Sequence, residues 1–139
     1  MDTKISIDGK EVGFRATART PRIYRHKFGR DVIQDLQILQ KNFLRAQKSA
    51  QTEQPGAGAT DAEIEAYETA MQDAKLSVID LEVFENIAWV MAKQFDQHIP
   101  DNPDAWLDEF TTFSIYEILP DILTLWTGNQ KTTSEAKNA

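Results

Sequence analysis

The sequence predicts a mainly α fold: a small helical domain over residues 1–128, opened by an N-terminal β-hairpin and followed by a disordered C-terminal tail at 129–139. Three observations predict it. An Asp8-Gly9 pair separates two short alternating runs near the N-terminus, a strong signal for a hairpin. Apolar residues then recur at helical spacing from Val32 to Trp126. The closing stretch NQKTTSEAKNA carries no hydrophobic residue beyond two alanines, too little to repay the entropy of ordering it.

The hairpin is expected over 4–16, because Lys4-Ile5-Ser6-Ile7 and Lys10–Ala16 flank a pair that tolerates the positive φ of a type I′ turn. A lone hairpin is marginal in water, so Ile5, Ile7, Val12 and Phe14 need cover from helices or from another chain. Thr20-Pro21 reads as an N-cap followed by proline at the first helical position, giving a helix over 21–28 that Gly29 closes. Asp31 caps a helix over 31–50 with the stripe Val32, Ile33, Leu36, Leu39 and Phe43. After the breaker-rich QTEQPGAGA, Thr60 and Glu63 form a capping box for a long helix over 60–97, with Ser77 to Asp80 as the place for a bend or break. Asn102-Pro103 starts a helix over 103–111. Ser114 and Glu117 start another over 114–127, which Gly128 ends.

The absence of cysteine excludes disulfides, thiolate zinc sites and cysteine nucleophiles. Phosphate-cradling loops and the nucleophile elbow are missing too. The two histidines, His26 and His98, stand without a nucleophile or carboxylate at a telling spacing. Glu65 and Glu68, and Glu82 and Glu85, make i, i+3 pairs, but without the Glu-x-x-His motifs of a di-metal bundle they read as solvated faces. No catalytic residue, cofactor or metal is therefore expected. No run approaches the ~18 apolar residues of a membrane span.

Charge is divided unevenly. Residues 1–48 hold eleven Lys/Arg against five Asp/Glu, a net of +6, whereas the remainder carries -13. Such a chain can pair with itself, with a copy of itself or with a charged partner. The sharpest feature is Arg15 to Arg30, with six cations and the aromatics Tyr24 and Phe28 between them. That composition could grip phosphates and stack bases, but the chain is acidic as a whole and has no nucleic-acid reader motif, so contact with an acidic surface, in this chain or in a partner, is favoured, with a solvated face as the alternative. The apolar band at 78–95 carries stripes on most sides of one helix and marks the core or a major interface. A chain this short rarely buries three tryptophans, and tryptophan anchors interfaces. The candidate partner-binding residues are accordingly Arg19, Arg22, Tyr24, Arg25, Phe84, Trp89, Trp106 and Trp126.

Three blocks, ISIDGKEVGFRATARTPRIYRHKFGRDVIQDL, LEVFENIAWVMAKQ and DNPDAWLDEFTTFSIYEILPDILTLW, cover most of the chain outside 51–75 and the tail. In order and wording they resemble the tail assembly chaperones of long, non-contractile-tailed phages and prophages of Gram-positive bacteria. The resemblance implies a non-enzymatic protein of the host cytoplasm, absent from the mature virion. It implies binding to the tape measure protein, a long helical ruler kept soluble while the tail tube protein polymerises around it. It also implies a longer form of the same chain made by programmed frameshifting. Ala136-Lys137-Asn138 can be encoded with a slippery A-AAA-AAC heptamer, which reading the codons would check. Self-association is expected from the opposed charges. The alternatives are a nucleic-acid-associated phage or regulatory protein using residues 15–30 and a structural virion connector.

Overall fold

A computed structural model describes the chain from Met1 to Asp73 and from Lys75 to Asn138, with side chains over 1–72 and 75–128. Strands β1 (Asp2–Ile7) and β2 (Lys10–Arg15) pair antiparallel, with Ile5 opposite Val12 and Ile7 opposite Lys10. The turn forms as its residue types dictate. Asp8 and Gly9 take φ of 54° and 77°, the left-handed values a type I′ turn demands. The period of two sends Ile5, Ile7 and Phe14 inward, where the helices over Val78–Phe95 and Ile115–Asn138 cover them.

Helix α1 spans Thr20–Phe28 and is closed by Gly29 at φ 67°, whose N–H donates to the Arg25 carbonyl. Its start departs from the expectation. Thr20 lies inside the helix and is fully buried, and the cap position falls to Arg19. The Thr20 hydroxyl accepts from the Thr17 N–H and donates to Gln94 Oε1, so it ties α1 to the helix over Val78–Phe95 instead of satisfying its own helix. Helix α2 (Val32–Ala50) is capped by Asp31, whose carboxylate accepts from the N–H groups of Ile33 and Gln34.

The single helix expected over 60–97 is two. Helix α3 covers Asp61–Asp73 and α4 covers Val78–Phe95. The physical reason is a capping box: Ser77 Oγ accepts from the Asp80 N–H and Asp80 accepts from the Ser77 N–H, so the chain restarts there. Helix α5 is Pro103–Leu107, capped by Asn102, and stops four residues short of the expected 111. Beyond it, Phe110 and Phe113 fold back on Trp106 with ring centroids 5.4 and 5.3 Å away. Helix α6 is Ile115–Asn138 and continues through Gly128 instead of ending there. A Cβ on Gly128 would come 2.7 Å from Met1 Sδ, so this glycine makes room for the N-terminus. The expected disorder of 129–139 lies outside the described side chains.

The core forms around α4. Val83, Phe84 and Ile87 to Ala92 are all buried, as are Val32, Leu36, Leu39 and Phe43 of α2 and Ile118, Leu119, Ile122, Leu125 and Trp126 of α6. Each large side chain removed from water here contributes ~1.5–3 kcal/mol. The hairpin is fastened at its tip, where Asp8 Oδ2 accepts from the Thr111 N–H and Lys10 donates to the Glu109 carbonyl. It is fastened along β2 by Gly13, which lies directly beneath the Phe95 ring.

Candidate partner-binding surface

The eight residues singled out by sequence separate into two groups. Arg19, Arg22 and Arg25 stand exposed on the outer face of α1, beside His26 and Lys27. Spacings of three residues put Arg19, Arg22 and Arg25 on one side of the helix. Tyr24 lies on the opposite side, fully buried, with Phe28 half-buried beside it at a ring distance of 5.1 Å. The interleaving of bases and aromatics in Arg15–Arg30 is thus an amphipathic helix, cations outward and rings inward, and not a mixed stacking surface.

The other four also belong to the interior. Phe84, Trp89, Trp106 and Trp126 expose 1, 4, 1 and 7% of their surface. The expectation that so short a chain leaves tryptophan surface free is therefore corrected. Trp106 is enclosed by Phe14, Phe110 and Phe113, edge to face in each case. Trp89 lies edge-on to Phe28, and its Nε1 donates to the Pro100 carbonyl at 2.9 Å. Phe84, Trp89 and Trp106 shape the surface from beneath, and Trp126 reaches it only where it lines a small cavity with Ile33 and Leu123.

The cations of the N-terminal region also divide. Arg15 pairs with Asp2, and Arg30 with Asp35. Lys27 donates to the Asp101 carbonyl, and Lys93 pairs with the Asp101 carboxylate. Arg19, Arg22 and Arg25 make no ion pair or hydrogen bond through their side chains among the described residues. A cleft of about 360 Å³ runs from Arg15 and Arg19 across Ile23 to Lys93 and Gln97 and carries no acidic residue in its lining. On α3, Asp61, Glu63, Glu65 and Glu68 are exposed and likewise without an ion pair among the described residues. The charge asymmetry is therefore not cancelled within the described part of the chain.

Behind the basic face is a polar clasp. Tyr24 donates to Asp35 Oδ2 at 2.7 Å, and Arg30 reaches the same carboxylate with Nε and Nη2 at 2.7 and 2.9 Å. Burial opposes ionisation of Asp35, yet the hydrogen bonds from Arg30 and Tyr24 hold its carboxyl below the usual range. Burial and the adjacent Asp35 carboxylate raise the Tyr24 phenol, and Asp35 raises Arg30. The clasp spans the Gly29 turn and fixes how α1 presents its arginines.

Sequence reasoning missed the exposed apolar residues. Val78, Ile79 and Leu81 expose 79, 66 and 38%, because the first turn of α4 turns Asp80 inward and these three outward. Ile33, placed in the core stripe by sequence, is 41% exposed, and Ile38, Leu44 and Tyr116 expose about half. A wheel centred on Leu36, Leu39 and Phe43 would have set Ile33 and Leu44 apart on a second stripe. No group of side chains able to hold a metal ion occurs among the described residues. No helix among them is long and apolar enough to cross a membrane. No family model, curated protein or solved structure matches this chain.

Proposed function

We propose that this chain is a tail assembly chaperone, a non-enzymatic protein that binds a long helical ruler, the tape measure protein, and keeps it soluble while the tail tube protein assembles around it. The observation that carries the reading is a surface of unspent contacts: arginines on α1 and acids on α3 without an ion pair among the described residues, and large apolar side chains exposed on α2 and α4. A protein that coats an amphipathic rod and later lets go of it needs many moderate contacts in place of one tight site. The apolar surplus that does this work is not the tryptophan set but the margin at Val78, Ile79 and Leu81, together with the outer stripe of α2.

The basic face of one copy and the acidic α3 of the next complement each other, a heterologous contact that can propagate along a rod. A longer frameshifted form would share the same face. The site of action is the host cytoplasm, and the mature virion would lack the protein. Co-expression with the large helical protein encoded just downstream tests the reading: this chain should raise its solubility and co-purify with it. Failure with both the short and the frameshifted form would overturn it. Arg19, Arg22 and Arg25 also suit nucleic acid, but base stacking needs exposed rings, and Tyr24 is fully buried.

A further inference from the structure

Ile33, Gln37, Gln40 and Leu44 share one stripe of α2, at spacings of four, three and four residues, and Tyr116, Pro120, Leu123 and Thr127 share one of α6 at the same spacings. The two stripes border one furrow. At one end Ile33, Gln37 and Gln40 face Leu123, Trp126 and Thr127 across a cavity of about 170 Å³. At the other end the Phe43 and Tyr116 rings meet at 5.7 Å. The helices therefore run antiparallel, and the furrow between them extends for three turns, ~16 Å. Ile33, Leu44 and Tyr116, exposed by 41, 56 and 50%, stand along it. The furrow itself carries no charge. Its rims do: Lys41, Arg45 and Lys48 stand exposed beyond the α2 stripe, and Glu117 and Asp121 beyond the α6 stripe.

We propose that this furrow is a docking groove for one amphipathic helix of a partner protein, with an apolar seam repeating at i, i+4, i+7 and i+11, acids on one flank and bases on the other. The inference rests on the chaperone reading for the partner's identity and on the groove for its chemistry. An apolar seam suits the uncharged floor and the exposed Ile33, Leu44 and Tyr116. Opposite charges on the two rims select a helix with divided flanks over one that is acidic or basic all round. A second copy fits less well. Its matching face would cover roughly 300 Å², about three helical turns long and two helices wide, against the ~800 Å² per partner typical of a stable dimer. A ruler offers such helices repeatedly, so individually weak grooves add through avidity.

Two measurements test the groove. The first is retention of the downstream-encoded helical protein by the full chain, by Ile33→Asp and Leu44→Asp, and by an Arg19→Glu/Arg22→Glu/Arg25→Glu variant. Positions 33 and 44 are exposed, so both Asp variants should fold, and circular dichroism checks this. The second is fluorescence anisotropy with synthetic helices carrying a leucine seam and split, all-Glu or all-Lys flanks. The groove is supported if the Asp variants lose retention by roughly tenfold or more, the equivalent of one large apolar contact, and if the split-flank helix binds most tightly. If the wild type retains the ruler and the Asp variants match it, the groove fails while the chaperone reading stands. If the wild type retains nothing, the chaperone reading fails, and the peptides alone decide the groove. A concentration-dependent dimer abolished by Leu44→Asp, with no peptide binding, would make the furrow a contact between copies and overturn the proposal.

Discussion

The Tyr24 hydroxyl donates to Asp35 Oδ2 at 2.7 Å, joining the buried side of α1 to the first turns of α2 across Gly29. Arg30 completes the arrangement with two bonds to the same carboxylate. Tyr24→Phe should cost about 1.5–3 kcal/mol, the usual worth of a hydrogen bond to a charged group. Asp35→Ala should cost more, because it leaves the Tyr24 hydroxyl buried without its acceptor. Urea denaturation of both variants checks the order.

The same clasp sets a pH dependence. The folded-state carboxyl of Asp35 titrates below its unfolded value of about 4. Its contribution is therefore complete above that value and is lost as pH falls through the folded one. Tyr24 is shifted upward, so its contribution is present below about pH 10 and fades as pH rises beyond it. Glu85 has the opposite sign to Asp35. Burial, then Glu82 and Asp104, raise its carboxyl, so its ionised form weakens the fold at neutral pH. Glu85→Gln should raise the Tm at pH 7 and leave it unchanged near pH 3, whereas Asp35→Asn should lower the Tm at pH 7 and flatten the acid limb. Thermal unfolding from pH 3 to pH 8 separates the two.

Gly13 gives a prediction that depends on space alone. A Cβ built there would lie 2.1 Å from Phe95 Cε1, with no positive φ involved. Gly13→Ala must push the ring or the strand aside, and overpacking of this kind costs ~1–3 kcal/mol. Phe95 also lies beneath the Arg15 guanidinium, 5.6 Å from the ring centroid, so a displaced ring disturbs a second contact. Phe95→Leu in the same chain should recover part of the loss, and a double-mutant cycle measures how much.

How much of this was legible in the sequence follows from the range of each interaction. The Asp8-Gly9 turn, the Asp31 cap and the Asn102-Pro103 start act within four residues and read directly. The restart at Ser77 was legible only as a weak point, because the apolar pattern runs through it and the Asp80 half of the box is less distinctive than a Glu. Thr20 was misread because its partner, Gln94, is 74 positions away, and spacing within one element says nothing of that. The site was half legible. The α1 arginines followed from helical spacing. The tryptophans did not: Trp106, for one, is enclosed only because Phe14 of β2 meets Phe110 and Phe113 of the α5–α6 connection, about a hundred positions away.

The α1 face should act in binding without acting in folding. Arg19, Arg22 and Arg25 hold nothing within the described chain, and exposed charges of this kind contribute little to stability. Changing all three to Glu should leave the Tm within about 2 °C, as expected for surface positions. It should also weaken any charge-driven self-association. Sedimentation at low and at ~0.5 M salt checks this, because contacts between exposed charges are screened at the higher value. An unchanged, salt-insensitive association would remove α1 from the interface.

The tryptophans and the first turn of α4 should show the reverse pattern from each other. Trp106 sits 1% exposed among three rings, so Trp106→Leu opens a cavity and should cost about 3 kcal/mol or more. At temperatures where that variant remains folded, retention of the helical partner should persist, since Trp106 contributes no surface atoms. Val78 and Ile79 expose 79 and 66%, and replacing both by Ser removes little from the core. Val78→Ser/Ile79→Ser should therefore leave the unfolding midpoint nearly unchanged while the solubility of the co-expressed ruler falls. Measuring denaturation and co-purification on the same two variants places the grip either at the exposed margin of α4 or in its interior. A ruler lost with Trp106→Leu under folding conditions, but kept with the Ser pair, would mean that the core opens to take its partner.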